Sequence, residues 1–161
     1  MDTPATVPDL SRTIAVAVPV DRAFGVFTDS IGVWWPYGIG DFDKVQVILE
    51  PREGGRWYER DMDGSEWDWG RVLAWAPPHR LVVTWQVNGR WQYDPDPARA
   101  SEIEVRFTAD GPARTRVDLA HRGLDRLAGG QNIYDAVSED GSGLGWSAAL
   151  ELFANATSAV R

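Results

Sequence analysis

The sequence predicts an α+β protein: a curved antiparallel β-sheet with one face covered by a long C-terminal α-helix. Three observations carry that expectation. Between residues 45 and 121 apolar and polar residues alternate with period two, broken by Asp-Gly pairs that suit tight turns. Near the C-terminus the apolar spacing switches to three and four, the period of a helix. The helical patterns lie at the ends of the chain instead of alternating with the strands, which selects an antiparallel sheet over a parallel one.

Taken in order, "TIAVAV" (13–18) puts Ile14, Val16 and Val18 on one side and predicts a strand that Pro19 ends. "VDRAFGVFTD" follows with Ala23, Phe24 and Phe27 at helical spacing, predicting a short helix to about Asp29 with Asp21 as its cap. "VQVILE" (45–50) predicts a second strand, and "GRWYERDMDGSEWDWGRVLAW" (55–75) a hairpin around Asp63-Gly64. Strict alternation sets Trp57 and Glu59 on one face of the first arm, and Trp67, Trp69, Arg71, Leu73 and Trp75 on one face of the second. On that count Glu59 and Arg71 both point inward. They are expected to pair with each other or to orient a ligand's polar end, because a lone buried carboxylate is costly. The acids Asp61, Asp63, Glu66 and Asp68 are expected on a solvated face.

After "APPHR", "LVVTWQV" aligns Leu81, Val83, Trp85 and Val87, and residues 88–100 read as a polar, proline-bearing loop. "SEIEVRFTA" and "ARTRVDLAH" predict another hairpin around Asp110-Gly111, with Ile103, Val105 and Phe107 sharing the inner face with Thr115, Val117, Leu119 and His121. Trp146, Ala149, Leu150, Phe153, Ala156, Thr157 and Val160 then define the apolar stripe of a terminal helix. A helix of about 17 residues spans only about 25 Å. A twisted sheet curls beyond that reach, so a gap beside the helix is expected, and the tryptophans face it.

Composition narrows the function classes. The 161 residues suit a single domain, with a core over about 11–158 and residues 1–10 expected as a flexible N-terminal segment. A net charge of −8 disfavours nucleic acid and anionic lipid as partners. No apolar run is long enough for a membrane span. The absence of cysteine and of a basic-then-apolar leader points to the cytoplasm, and a monomer or weak homodimer is expected. With only His79 and His121, no cysteine and no H-x-x-x-H spacing, no metal site is expected. No cofactor is expected either: "GLGWSA" (143–148) mimics a dinucleotide-binding turn but has no preceding strand in a βαβ unit and too little chain after it for the ribose-binding acid. No G-x-S-x-G is present.

Nine tryptophans are the anomaly, because cores are filled mainly by Leu, Ile and Val. "GVWWPYGIGDFD" (32–43) concentrates Trp34, Trp35, Tyr37 and Phe42 on a turn-rich stretch where neither periodicity buries them. These rings either cap the core or form the lip of a ligand entrance. Trp57, Trp69, Trp85, Trp146, Leu150 and Phe153 either line a cavity or fill it. With Glu59, Arg71 and His121 as polar members, they make up the candidate ligand-binding set.

The stretches "VDRAFGVFTDSIGVWWP", "LEPREGGRWYERDMDGSEWDWGRVLAWAPPHRLVVTW", "TRVDLAHRGL" and "GWSAALELF" resemble, in order, the motifs of the activator-of-heat-shock-protein-90-ATPase homologue-like family, within the START-like (SRPBCC) helix-grip superfamily. The resemblance covers roughly residues 11–158. It implies a curved sheet gripping the C-terminal helix around an elongated apolar cavity. It constrains chemistry much less, because related proteins include lipid carriers, hormone receptors and polyketide cyclases. Chaperone activators proper carry a further N-terminal domain, for which this chain has no room. The leading expectation is therefore a module that binds an apolar or aromatic small molecule. One alternative is a cyclase, dehydratase or hydrolase-like enzyme using His121, Glu59, Tyr58 or Tyr93 as acid or base. Another is a chaperone-linked protein-interaction module.

Overall fold

The computed structural model describes residues 7–37, 44–138 and 145–159. Its elements are β1 (Leu10–Val16), α1 (Val20–Thr28), α2 (Ile31–Trp34), β2 (Lys44–Leu49), β3 (Arg56–Asp61), β4 (Glu66–Ala76), β5 (Arg80–Trp85), β6 (Ser101–Ala109), β7 (Thr115–Arg122), α3 (Gly130–Val137) and α4 (Trp146–Ala159). Among the described residues they form one seven-stranded sheet, ordered β1-β7-β6-β5-β4-β3-β2. Every neighbouring pair is antiparallel. Strands β2 to β7 thus pair with their neighbours in sequence, and only β1 reaches across the chain, to β7.

The expected α+β architecture is present. Helix α4 buries Trp146, Ala149, Leu150, Phe153 and Ala156, the stripe read from the sequence, and exposes Glu151 and Asn155. It packs on β1, α1 and α2. Helix α1 begins at Val20 with Pro19 at its N-cap, so Asp21 lies in the first turn and not at the cap. There its carboxylate opposes the positive end of the helix dipole. Helix α3 was not expected; it docks through Ile133 and Val137, one turn apart and both buried.

Strand β4 departs from strict alternation. Its register slips opposite Trp57/Tyr58 on one side and between Val72 and Ala74 on the other. Each slip is a bulge, and each bulge reverses which parity faces the core. Trp69 is therefore buried, Val72 replaces Arg71 on the inner face, and Leu73 is 43% exposed; Trp75 returns inward to meet the Phe24 ring at 5.1 Å. Bulges also bend a strand, which helps β4 curl the sheet around α4. At Gly70 the backbone comes so close to β5 that a Cβ would collide with the Thr84 carbonyl oxygen.

The outer face of the sheet is ionic. Glu104, nearly buried there, takes Arg80 at 2.6 Å, Arg106 at 3.0 Å and Arg122 at 2.9 Å. These guanidinium groups hold its carboxyl below the usual range, chiefly through the hydrogen bond from Arg80. Arg56 and Arg60 pair with Asp68 and Glu66. Among the described residues no helix is long and apolar enough to cross a membrane.

Candidate functional site

The inner face of the sheet is a bowl of rings. Trp57 on β3, Trp69 on β4 and Trp85 on β5 stand side by side, with Trp57 stacked on Trp69 at 5.6 Å and Trp69 edge-on to Trp85 at 4.9 Å. Trp146 of α4 closes the other side, 6.0 Å from Trp85. Into this bowl the chain after α2 inserts two more rings. Trp35 has left the helix, with ψ at 117°, and its ring meets Tyr37, Trp57, Trp69, Trp85 and Trp146 at 5.1–6.1 Å. Tyr37 adds contacts to Trp85 and Trp146 at 5.8 and 5.7 Å. Ring pairs prefer such edge-to-face arrangements over flat sandwiches.

The bowl is consequently full. The apolar void left between Leu81, Val83, Val105, Leu119, Trp35 and Trp146 admits the centre of a water-sized sphere through only ≈ 10 Å³. That is about the lower limit for a single water. In this conformation the inward tryptophans fill the gap they were expected to face. Trp35 is 5% exposed and no loose lip ring, because besides Trp34 and Tyr37 of its own stretch its neighbours come from β3, β4, β5 and α4. On its other side a surface groove of ≈ 440 Å³ on the same measure runs past Val33, Pro36, Leu152 and Asn155. Trp35 thus lines both that groove and the interior void.

Trp34 points elsewhere: its ring packs on Phe27 and Phe153, and its indole N–H donates to the Val26 carbonyl at 3.3 Å. Leu150 and Phe153 are core residues of α4. Phe42 lies outside the described residues. Arg71 does not face Glu59: the bulge turns it outward, toward Asp68 at 3.8 Å and over the Tyr93 ring at 5.9 Å. Glu59, fully buried, instead accepts a hydrogen bond from Trp69 Nε1 at 3.2 Å. Tyr58 also faces outward, beneath the Arg56 guanidinium at 3.9 Å.

His121 is built into the wall. The Ser101 hydroxyl donates to the Trp85 carbonyl at 2.9 Å, so toward His121 Nε2, also at 2.9 Å, its oxygen accepts. Nδ1 in turn accepts from Trp146 Nε1 at 3.2 Å. The neutral Nε2–H tautomer satisfies all of these groups at once. Burial among apolar neighbours pushes its pKa down to about 3. With both nitrogens engaged, this imidazole ties β5, β6, β7 and α4 together and has no free position for a substrate proton.

Two site features escaped the sequence reading. Trp91, in the loop expected to be merely polar, adopts φ 60° and brings its ring to within 6.2–6.4 Å of Tyr37, Trp69 and Trp85. A lone tryptophan in a polar loop was the available signal. Asp61, expected in solvent, is 2% exposed, because it continues the inward face of β3 after Trp57 and Glu59. Period-two spacing from those residues would have found it. Among the described residues no three His, Asp or Glu side chains converge to hold a metal ion.

A sequence model of the family described as "Activator of Hsp90 ATPase homolog 1-like protein" matches residues 17–157. No curated protein matches the chain. Among solved structures, the chain is 43% identical to Txn09, an anthrahydroquino-gamma-pyrone synthase solved in a complex, with a TM-score of 0.68 over 96% of this chain and 99% of that one. It is 30% identical to CalC, a self-sacrificing resistance protein from Micromonospora echinospora, with a TM-score of 0.64 over 94% of this chain and 95% of that one. Protein NE0264 from Nitrosomonas europaea shares the fold, at 17% identity and a TM-score of 0.67, over 95% of this chain and 96% of that one.

Proposed function

The chain belongs to the Activator of Hsp90 ATPase homolog 1-like family, and from that footing we propose that it binds a flat, fused-ring aromatic small molecule of polyketide type between sheet and α4, in the space that Trp35 and Tyr37 occupy here. One observation carries the reading: two rings on a non-helical stretch of chain are accepted edge-on by four tryptophans from four different elements, Trp35 by Trp57 and Trp69 and Tyr37 by Trp85 and Trp146. A wall that complements inserted rings complements a ring ligand equally well. The 43% identity to a synthase whose name places it on anthrahydroquinone-type chemistry supports that ligand class. The groove beside Trp35 supplies the approach, and withdrawal of the insert makes the room.

The test is titration with anthraquinone, followed by tryptophan fluorescence, in the wild type and in Trp35→Ala. Saturable quenching is expected in both, tighter in the variant because its cavity is already vacated in part. Absence of saturable binding in both proteins would overturn the proposal.

A second reading, catalysis on the bound molecule, is favoured by the same synthase relative and by the buried Glu59. Of the acid–base candidates His121, Glu59, Tyr58 and Tyr93, Glu59 is the carboxylate buried on the inner face, beside the tryptophans. A substrate whose turnover falls about 100-fold in Glu59→Gln would establish it. The chaperone-linked reading draws on the family name alone.

A further inference from the structure

The inward face of β3 changes character along its length. Trp57 belongs to the ring bowl; Glu59 and Asp61 follow at intervals of about 7 Å along the strand, toward the turn at Asp63 and Gly64. Trp67 stands directly across from Glu59 on β4. Among the described residues neither oxygen of Asp61 has a hydrogen-bond partner, nor does the indole N–H of Trp57 or of Trp67. Native proteins leave few buried polar groups unsatisfied, and a buried unpaired carboxylate is among the most expensive. Three such groups on two adjacent strands, next to a bowl built for rings, are a recognition pattern awaiting its complement.

We infer that Asp61, Trp57 and Trp67 form a polar row along β3 and β4 that reads a hydroxyl and a carbonyl on the edge of the ring system held in the cavity. The donor inventory sets the chemistry. An ionised carboxylate only accepts, and an indole N–H only donates. The complement therefore carries one group that donates, a phenolic hydroxyl, and one that accepts, a ring carbonyl. An ammonium group would answer Asp61 but leave both indoles unmet, and a metal ion would find only the two carboxylates. A hydroxylated quinone or hydroxy-aryl ketone satisfies all three. This inference rests on the proposed cavity and adds which edge of the ligand is recognised. It does not depend on the state of Glu59, which already holds the Trp69 N–H.

The experiment compares 1,8-dihydroxyanthraquinone with unsubstituted anthraquinone as fluorescence quenchers of the wild type, Asp61→Asn and Asp61→Leu. The wild type is expected to prefer the hydroxylated compound by about tenfold or more, the scale of a hydrogen bond to a charged group. Asp61→Leu should erase that preference, with Asp61→Asn intermediate. Both variants should melt at or above the wild-type temperature, because a buried carboxyl group without a hydrogen-bond partner has been removed. An unchanged preference in both variants would overturn the inference and leave the cavity standing. Variants that melt well below the wild type would also overturn it, by showing Asp61 to hold the fold. If neither quinone binds the wild type, the cavity reading fails and this site falls with it.

Discussion

Acidification should destabilise this protein in a window that belongs to one residue, His121. In the unfolded chain its imidazole titrates near 6.5; in the fold it stays neutral until about pH 3. Below pH 6.5 the unfolded state therefore binds a proton that the folded state refuses, so stability falls as pH falls. The slope approaches about 1.4 kcal/mol per pH unit, or about 5 kcal/mol across the whole interval. Carboxylates with lowered pKa, such as Glu104 and Asp94, also lose stabilisation in acid, but only as pH drops through their ordinary range near 4.5 and below. Over the interval from pH 6.5 to 4.5 the histidine contributes about 2.3 kcal/mol. Urea denaturation at half-unit steps across that interval, for the wild type and His121→Gln, reads the effect directly. The variant is expected to be less stable at pH 8, since Ser101 and Trp146 lose their partner, so the slopes and not the absolute values are compared. The wild type should lose stability steeply and the variant should stay nearly flat. Parallel curves, or a His121 imidazole resonance that titrates near pH 6.5 in the folded protein, would refute the argument.

Trp35→Ala should cost about 3–5 kcal/mol in chemical denaturation, the range for truncating a large core aromatic; a loss below about 1 kcal/mol would mean the ring packs only loosely. Gly70→Ala should destabilise by about 1–3 kcal/mol, because the added methyl meets the Thr84 carbonyl and the strand must shift; unchanged melting would place β5 farther away. Glu104→Gln should cost about 1–3 kcal/mol at pH 7 by weakening its contacts to three arginines, and the difference from the wild type should shrink as pH falls below the normal glutamate range, as denaturation at pH 7 and pH 3.5 would show. Removing α4 takes away the buried Trp146, Leu150 and Phe153 together, each worth about 1.5–3 kcal/mol of burial, so cooperative melting monitored by circular dichroism should vanish.

The sheet and α4 were legible because their burial is one-sided, and one-sided burial writes a period into the sequence. Hairpins of β6 and β7 followed that period residue by residue: Ile103, Val105 and Phe107 face Val117, Leu119 and His121 as alternation requires. Strand β4 broke it, because a bulge inserts one residue without leaving a mark in composition. Arg71 was thereby assigned to the wrong face and Asp61 was passed over as one acid among several. Whether the tryptophans lined or filled their gap was closed to a periodicity argument altogether. It depends on where Trp35 and Tyr37 go once α2 ends, and that is decided by contacts with strands well separated in sequence.

If the bowl takes the proposed ligand, the inserted pair at 35 and 37 also sets a rule for affinity. A chain segment seated in its own cavity is a tethered competitor, present at an effective concentration fixed by the short connection to α2 and not by anything in solution. Any ligand must displace it, so the apparent dissociation constant is the intrinsic one divided by the fraction of molecules with the insert withdrawn. A seated state favoured about 100 to 1 weakens binding about 100-fold without altering a single ligand contact. Residues that stabilise or loosen the seat, such as Pro36 between the two rings, then tune affinity from positions the ligand never touches.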